Sequence, residues 1–163
     1  MSEAFGVEIS AELVEKIREH GVDTYPNECC GAMLGRDHGF RESDSFSQNG
    51  IEVSREIIAL FPLVNRRDDS PRNRFSVTAE DVQEAEKFAN TQGLEVIGWY
   101  HSHPDHPAKP SEYDRDHAWP WYSYVIVSVR AGVPQELTSW RLNDDRTRFI
   151  EESIEQVWVS ATK

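Results

Sequence analysis

The chain has 163 residues, of which 38% are hydrophobic and 10% aromatic, enough for a folded protein with a sizeable core. Its 29 acidic residues against 17 basic ones give a formal charge of −12, which excludes non-specific binding to nucleic acid or to an anionic membrane surface. No apolar run reaches the roughly 18 residues of a membrane span, and Met1 to Glu8 lacks the basic and apolar regions of a signal peptide, so a cytoplasmic protein is expected. The only cysteines, Cys29 and Cys30, are neighbours. They rule out a disulfide framework and a cysteine-rich zinc site, and they read as small buried apolar residues.

In chain order, Val7 to Ile9 predicts a short strand. Ser10 is an N-cap, and Leu13, Val14 and Ile17 form the apolar stripe of a helix over 11–20 that ends before Gly21. Residues 30–36 predict a buried strand. Glu28 stands where the turn-prone Tyr25-Pro26-Asn27 gives way to that strand. A carboxylate there is explained by catalysis or by a satisfied structural hydrogen bond. Residues 40–48 are expected to pair with the strand as a hairpin, and 51–61 to contain another strand. Residues 62–74 are irregular and carry Arg66, Arg67, Arg72 and Arg74, either a solvated loop or a flap over a substrate tail. Phe75 to Val77 reads as a strand. Thr78 to Asp81 resembles a capping box opening a helix whose Val82, Ala85, Phe88 and Ala89 face the core and which Gly93 closes.

The apolar, β-branched Leu94 to Tyr100 predicts a strand that carries His101-Ser102-His103 and ends at Pro104. Ser111 then starts a short helix. Residues 123–130 are the clearest strand, paired with 137–142 through a turn at Gly132-Val133-Pro134; 149–154 and 157–159 are weaker strands. The expected architecture is α+β: a curved, mixed, largely antiparallel sheet with two main helices packed on it, in a single domain over 1–163.

His101 and His103 are two apart, so on a strand both imidazoles face the same way. Asp114 would lie in the first turn of the helix begun at Ser111. Two imidazoles and a carboxylate are a catalytic zinc set, with a fourth position for water. Such chemistry needs a further carboxylate to move protons, and Glu28 is the candidate. Asp105 and Asp116 are alternative carboxylate ligands, and His106 and His117 read as surface or supporting residues. Ser111-x-x-Asp114 is also a capping box in its own right. Trp99 shares the parity of the two histidines and could line a cleft. Trp119, Trp121 and Tyr122 read as core, unless exposed, when they would suggest partner binding.

Glu28 ahead of Gly31-x-x-Leu34-Gly35, then His101-Ser102-His103 and, after seven residues from Pro104 to Pro110, Ser111-x-x-Asp114, resembles the JAMM motif of the MPN-plus zinc metalloproteases at every position. The resemblance runs from the helix near residue 11 to the strand near residue 129. It implies a cytidine-deaminase-like layered fold and one Zn2+ per chain on His101, His103 and Asp114. It also implies Glu28 as general acid/base and Ser111 as a holder of the oxyanion. The implied activity is hydrolysis of amide or isopeptide bonds at the C-terminal tail of a ubiquitin-like protein, or of a sulfur-carrier protein of that fold. Rival readings are a non-catalytic MPN scaffold that only binds partners, a RadC-like protein and a deaminase. The last wants His-x-Glu and Pro-Cys-x-x-Cys, which this chain lacks. The oligomeric state is left open.

Overall fold

A computed structural model of the chain describes residues 6–38, 55–64 and 77–157. The elements in order are β1 (Gly6–Ser10), α1 (Ala11–Thr24), β2 (Cys30–Asp37), β3 (Arg55–Leu63), α2 (Ala79–Thr91), β4 (Glu95–Pro104), α3 (Glu112–His117), β5 (Ser123–Arg130), β6 (Val133–Leu142) and β7 (Phe149–Val157). This is the expected mixture of strands with a few helices, but the sheet is not open. Its strands run β1-β3-β2-β4-β5-β6-β7, and β1 pairs in parallel with both β3 and β7, closing a barrel. Among the described residues β1 borders β3 only at Arg55 and Glu56, so the ring closes at that end and the rest of β3 pairs with β2 alone.

β4 lies at the centre of the site's architecture. It runs antiparallel to β2 and parallel to β5, with His101 opposite Cys30 on one side and Ile126 on the other. A parallel pair needs a crossover, so the chain leaving the end of β4 must travel back before β5 begins. α3 is part of that crossover, which is why a helix start stands against the end of the histidine strand. Where Met33 pairs with Gly98 and Leu34 with Val96, β4 carries an extra residue, Ile97. This bulge sends Ile97 to one core and Val96 and Trp99 to the other.

Two cores result. Val14 and Ile17 of α1 pack with Val7, Met33, Ile97, Tyr100, Val125 and Val127. Ala85 and Ala89 of α2 pack with Ala32, Leu34, Val96, Trp99, Tyr124 and Leu142. Both expected helices therefore exist and both bury the predicted stripe, with Phe88 at the margin, 38% exposed and stacked on Phe61.

Several boundaries differ from expectation. α1 continues through Gly21 to Thr24. Gly21 is not a stop signal: a Cβ there would come within 3.0 Å of Val129 Cγ2, so the missing side chain lets the helix press on β5. Gly93, by contrast, has φ of 70° and closes α2 as expected, with Leu94 N donating to Ala89 O. β3 runs on to Leu63 through Pro62, which pairs with Gly31 where β1 no longer borders the strand, so the lost donor costs no ladder bond. The β5–β6 turn is Ala131-Gly132, both at positive φ, and β6 already starts at Val133. The two weak C-terminal strands are one strand ending at Val157. The hairpin expected at 40–48, the strand at 75–77 up to Ser76, and most of the arginine-rich 62–74 segment lie outside the described residues, as do Trp158 and Val159.

Candidate active site

β4 alternates strictly past its bulge, so Trp99, His101 and His103 share a face and Tyr100 and Ser102 take the other. At α3 the sequence supplies a full capping box: Asp114 N donates to Ser111 Oγ at 3.0 Å, and Ser111 N donates to Asp114 Oδ2 at 2.9 Å. The box fixes the carboxylate, and its Oδ2 lies 3.1 Å from His103 Nε2 and 3.4 Å from His101 Nε2. The two Nε2 atoms are 3.3 Å apart. The capping reading and the ligand reading of Ser111-x-x-Asp114 thus describe the same atoms.

The tautomer of His103 is fixed by what it touches. Its Nδ1 lies 2.8 Å from the carbonyl of Pro107, which can only accept, so Nδ1 carries a hydrogen. That leaves Nε2 as the nitrogen facing Asp114 and His101. Backbone support of this kind is the usual second partner of a metal-binding imidazole. Burial pushes His101 below its ordinary pKa, with the Asp114 charge opposing. For Asp114, burial favours the neutral acid, but His101 and then His103 outweigh it and hold the carboxyl well below the usual range. Two imidazole nitrogens and a carboxylate oxygen converge on one point, the arrangement that a cation can occupy. Among the described residues, His101, His103 and Asp114 form a group able to hold a metal ion, with ligand atoms within 4.8 Å of one another. Two imidazoles and a carboxylate at the end of a strand beside a cleft suit zinc in a catalytic, three-ligand arrangement.

Glu28 is 5% exposed, two residues before β2 begins. Ser102 N donates to Cys29 O at 3.2 Å, and Cys29 N donates to Ser102 Oγ at 2.8 Å. These bonds extend the β2–β4 register by one step beyond Cys30–His101. One further step sets Glu28 opposite His103, on the face shared by paired residues. The alternative ligands go elsewhere: Asp105 accepts from Tyr25 Oη and from Ala131 N, and Asp116 is exposed beside Arg115. His117 stacks on Tyr113, its Nδ1 donating to the Tyr113 carbonyl, and His106 is exposed. Cys29 and Cys30 are buried free thiols, and burial pushes Cys29 up to about 12, so it is no nucleophile.

Sequence reasoning missed one feature and anticipated another in part, since Trp99 was expected to be able to line a cleft. Pro107 orients His103 through a backbone carbonyl, which leaves no mark in a side-chain pattern. A cleft of about 980 Å³ opens beside the ligand set, with His101, Asp114, Trp99 and Trp121 among its walls. Trp119 and Trp121 are 65% and 45% exposed, so the core reading of that cluster fails for these two. The signal was present in Trp119-Pro120-Trp121-Tyr122, a dense aromatic run with a proline inside it.

A mixed α/β barrel with a candidate metal group at the end of its central strand is the class this geometry defines. The chain belongs to the prokaryotic homologues of the JAB domain, whose family model matches residues 10–143. It is 29% identical over 117 residues to the desampylase of Haloferax volcanii, a match covering 71% of this chain and 73% of that one. It is 31% identical over 111 residues to the human Lys-63-specific deubiquitinase BRCC36. That match covers 58% of this chain and 35% of the relative, so the chain spans about a third of that larger protein. A solved structure from Salinibacter ruber is similar at 40% identity and a TM-score of 0.65, over 92% of this chain and 91% of that one. Another, from Desulfitobacterium hafniense, is similar at 28% identity and a TM-score of 0.73, over 95% of each chain.

Proposed function

We propose that the chain is a zinc metallopeptidase of the JAMM type. It would hydrolyse an amide or isopeptide bond at the C-terminal tail of a ubiquitin-like or sulfur-carrier protein. The observation that carries this is the convergence of His101 Nε2, His103 Nε2 and Asp114 Oδ2 within 3.4 Å of one another at a cleft. Relatives named as a desampylase and as deubiquitinases support the substrate class.

His101, His103 and Asp114 would hold one Zn2+. Bound there, zinc supplies the Lewis acidity that polarises a carbonyl and lets water act as a nucleophile near neutral pH. The remaining work falls to the chain's own groups. Glu28 takes a proton from the attacking water and later delivers it to the leaving amine. Ser111 Oγ already accepts from Asp114 N, so its own hydrogen is left to donate to the oxyanion that develops on the substrate carbonyl. His103 is kept in the correct tautomer by Pro107.

The test is incubation of the zinc-loaded protein with ubiquitin-like and sulfur-carrier proteins extended past their C-terminal glycines, with and without a chelator. The proposal expects cleavage after the last glycine, lost on chelation and in Glu28→Gln. Binding of those partners with no cleavage at any zinc level would instead make the chain a scaffold.

A further inference from the structure

Between α3 and β5 the chain runs Ala118-Trp119-Pro120-Trp121-Tyr122. Trp121 has φ of 92°, a region that a bulky side chain enters at a cost and keeps only where its surroundings impose it. The surroundings are specific. The Arg55 guanidinium lies 4.3 Å from the centroid of the Trp121 ring. Arg55 is itself wholly buried, its Nε donating to Asp37 at 3.0 Å and its Nη1 to Ser123 Oγ at 2.8 Å. Trp121 also meets Tyr122 edge-on at 5.4 Å, and Tyr122 meets Trp99 edge-on at 5.9 Å. Trp99 is two residues from His101 on the same face. An aromatic wall therefore runs from an exposed rim to the candidate metal group, and a fixed, buried cation holds its outer member in place.

The wall borders the 980 Å³ cleft, whose lining also includes Trp119, Val77, Val82 and Phe149. Sites for small ligands run to about 1,000 Å³, so there is room for a short extended segment bearing large side chains. The cleft is continuous with His101 and Asp114, so whatever fills it belongs to the molecule presented for cleavage. A glycine tail has no side chain to cover these rings and would leave them wet.

We propose that this cleft is a specificity pocket for aromatic or branched aliphatic side chains of the protein substrate flanking the scissile bond, with Trp121 as its recognition residue and Arg55 as the residue that positions Trp121. The proposal rests on the hydrolytic reading of the site.

Two blocked peptides with one backbone and a Gly-Gly-amide end, one carrying Phe and Leu and the other Ala at those positions, are titrated into the zinc-loaded protein. Indole N–H resonances give the readout. The Phe/Leu peptide should shift the Trp119 and Trp121 signals, leave Trp140 unmoved, and bind at least about tenfold more tightly than its alanine twin. Trp121→Gly, which removes the ring and suits the positive φ, should reduce that preference to less than about twofold. Arg55→Lys keeps the charge but loses the planar stack, and should weaken the preference while the Trp140 signal stays native. Equal binding of the two peptides, or binding that leaves both Trp119 and Trp121 unmoved, overturns the pocket. Full preference in a natively folded Arg55→Lys protein removes Arg55; if that variant does not fold, Trp121→Gly decides. Cleavage of ubiquitin-like fusions without peptide preference sinks the pocket and spares the hydrolase, whereas preference without cleavage sinks the hydrolytic reading and with it the pocket's role in substrate specificity.

Discussion

The residue between the two histidines has a task its neighbours cannot perform. Ser102 points away from the ligand set, and its Oγ accepts the Cys29 N–H at 2.8 Å in a fully buried place. It ties the strand that carries His101 and His103 to the segment that carries Glu28. Ser102→Ala leaves a buried amide without this acceptor, at about 1–3 kcal/mol. Metal content should stay at the wild-type level in that variant, and kcat should fall with little change in KM, because the proposed proton carrier loosens rather than the proposed ligands. Ser102→Thr, which keeps the hydroxyl, should recover most of the rate. Unchanged kcat in Ser102→Ala would remove the coupling. Substitutions inside the proposed machinery have larger effects. Glu28→Gln should keep zinc and lose roughly 10²–10⁴-fold in turnover. Ser111→Ala should lose about 10²-fold with metal retained, and unfolding without slower chemistry per folded molecule would leave Ser111 only its capping role.

At the scale of elements, α1 shows what a sequence displays and what it hides. Its stripe of Leu13, Val14 and Ile17 and its Ser10 cap were readable, since propensity and periodicity are local. Its passage through Gly21 was not, because the reason lies on β5, more than a hundred residues away. The same division holds at the site. The spacing of His101, His103, Ser111 and Asp114 was legible because one strand and one capping box create it. Barrel closure by β1, the Pro107 carbonyl and the Arg55–Trp121 stack were not, because each joins distant segments. Gly21→Val should therefore destabilise the fold by about 1–3 kcal/mol through overpacking, read as a lower urea midpoint.

α1 also carries a pH response. Burial pushes His20 below its ordinary value, with Asp23 opposing, and its Nδ1 lies 2.8 Å from the Tyr100 hydroxyl. Burial pushes Tyr100 upward, so it stays a phenol that donates to a neutral ring. The unfolded chain then takes up the proton first as pH falls. The stabilisation is complete above the unfolded value of about 6.5 and is lost as pH falls through the lower folded one. Urea midpoints should drop between about pH 7.5 and pH 5, and His20→Gln should flatten that drop; an identical slope would remove His20 from the response.

For the molecule as a whole, the proposed ligands tie together parts of the fold that packing alone leaves loosely joined. α3 has six residues, none of them fully buried, and makes few tertiary contacts beyond the site. Its Asp114 is nevertheless the shared neighbour of both β4 histidines. A cation held there would crosslink the crossover to the central strand only in the folded state, so binding adds directly to stability. At a free zinc level about 100 times the dissociation constant, the gain is about 2.7 kcal/mol, or roughly 5–10 °C in melting temperature for a chain of this size. Chelated protein should melt lower by that amount and recover on adding zinc. His101→Ala should melt at one temperature with or without zinc. Asp114→Asn should keep a capping oxygen at α3 yet lose most of the shift, which separates the metal's contribution from that of the helix cap. A zinc-dependent rise that survives in both variants would place the stabilising ion elsewhere in this acidic chain, and the three-ligand assignment would have to be abandoned.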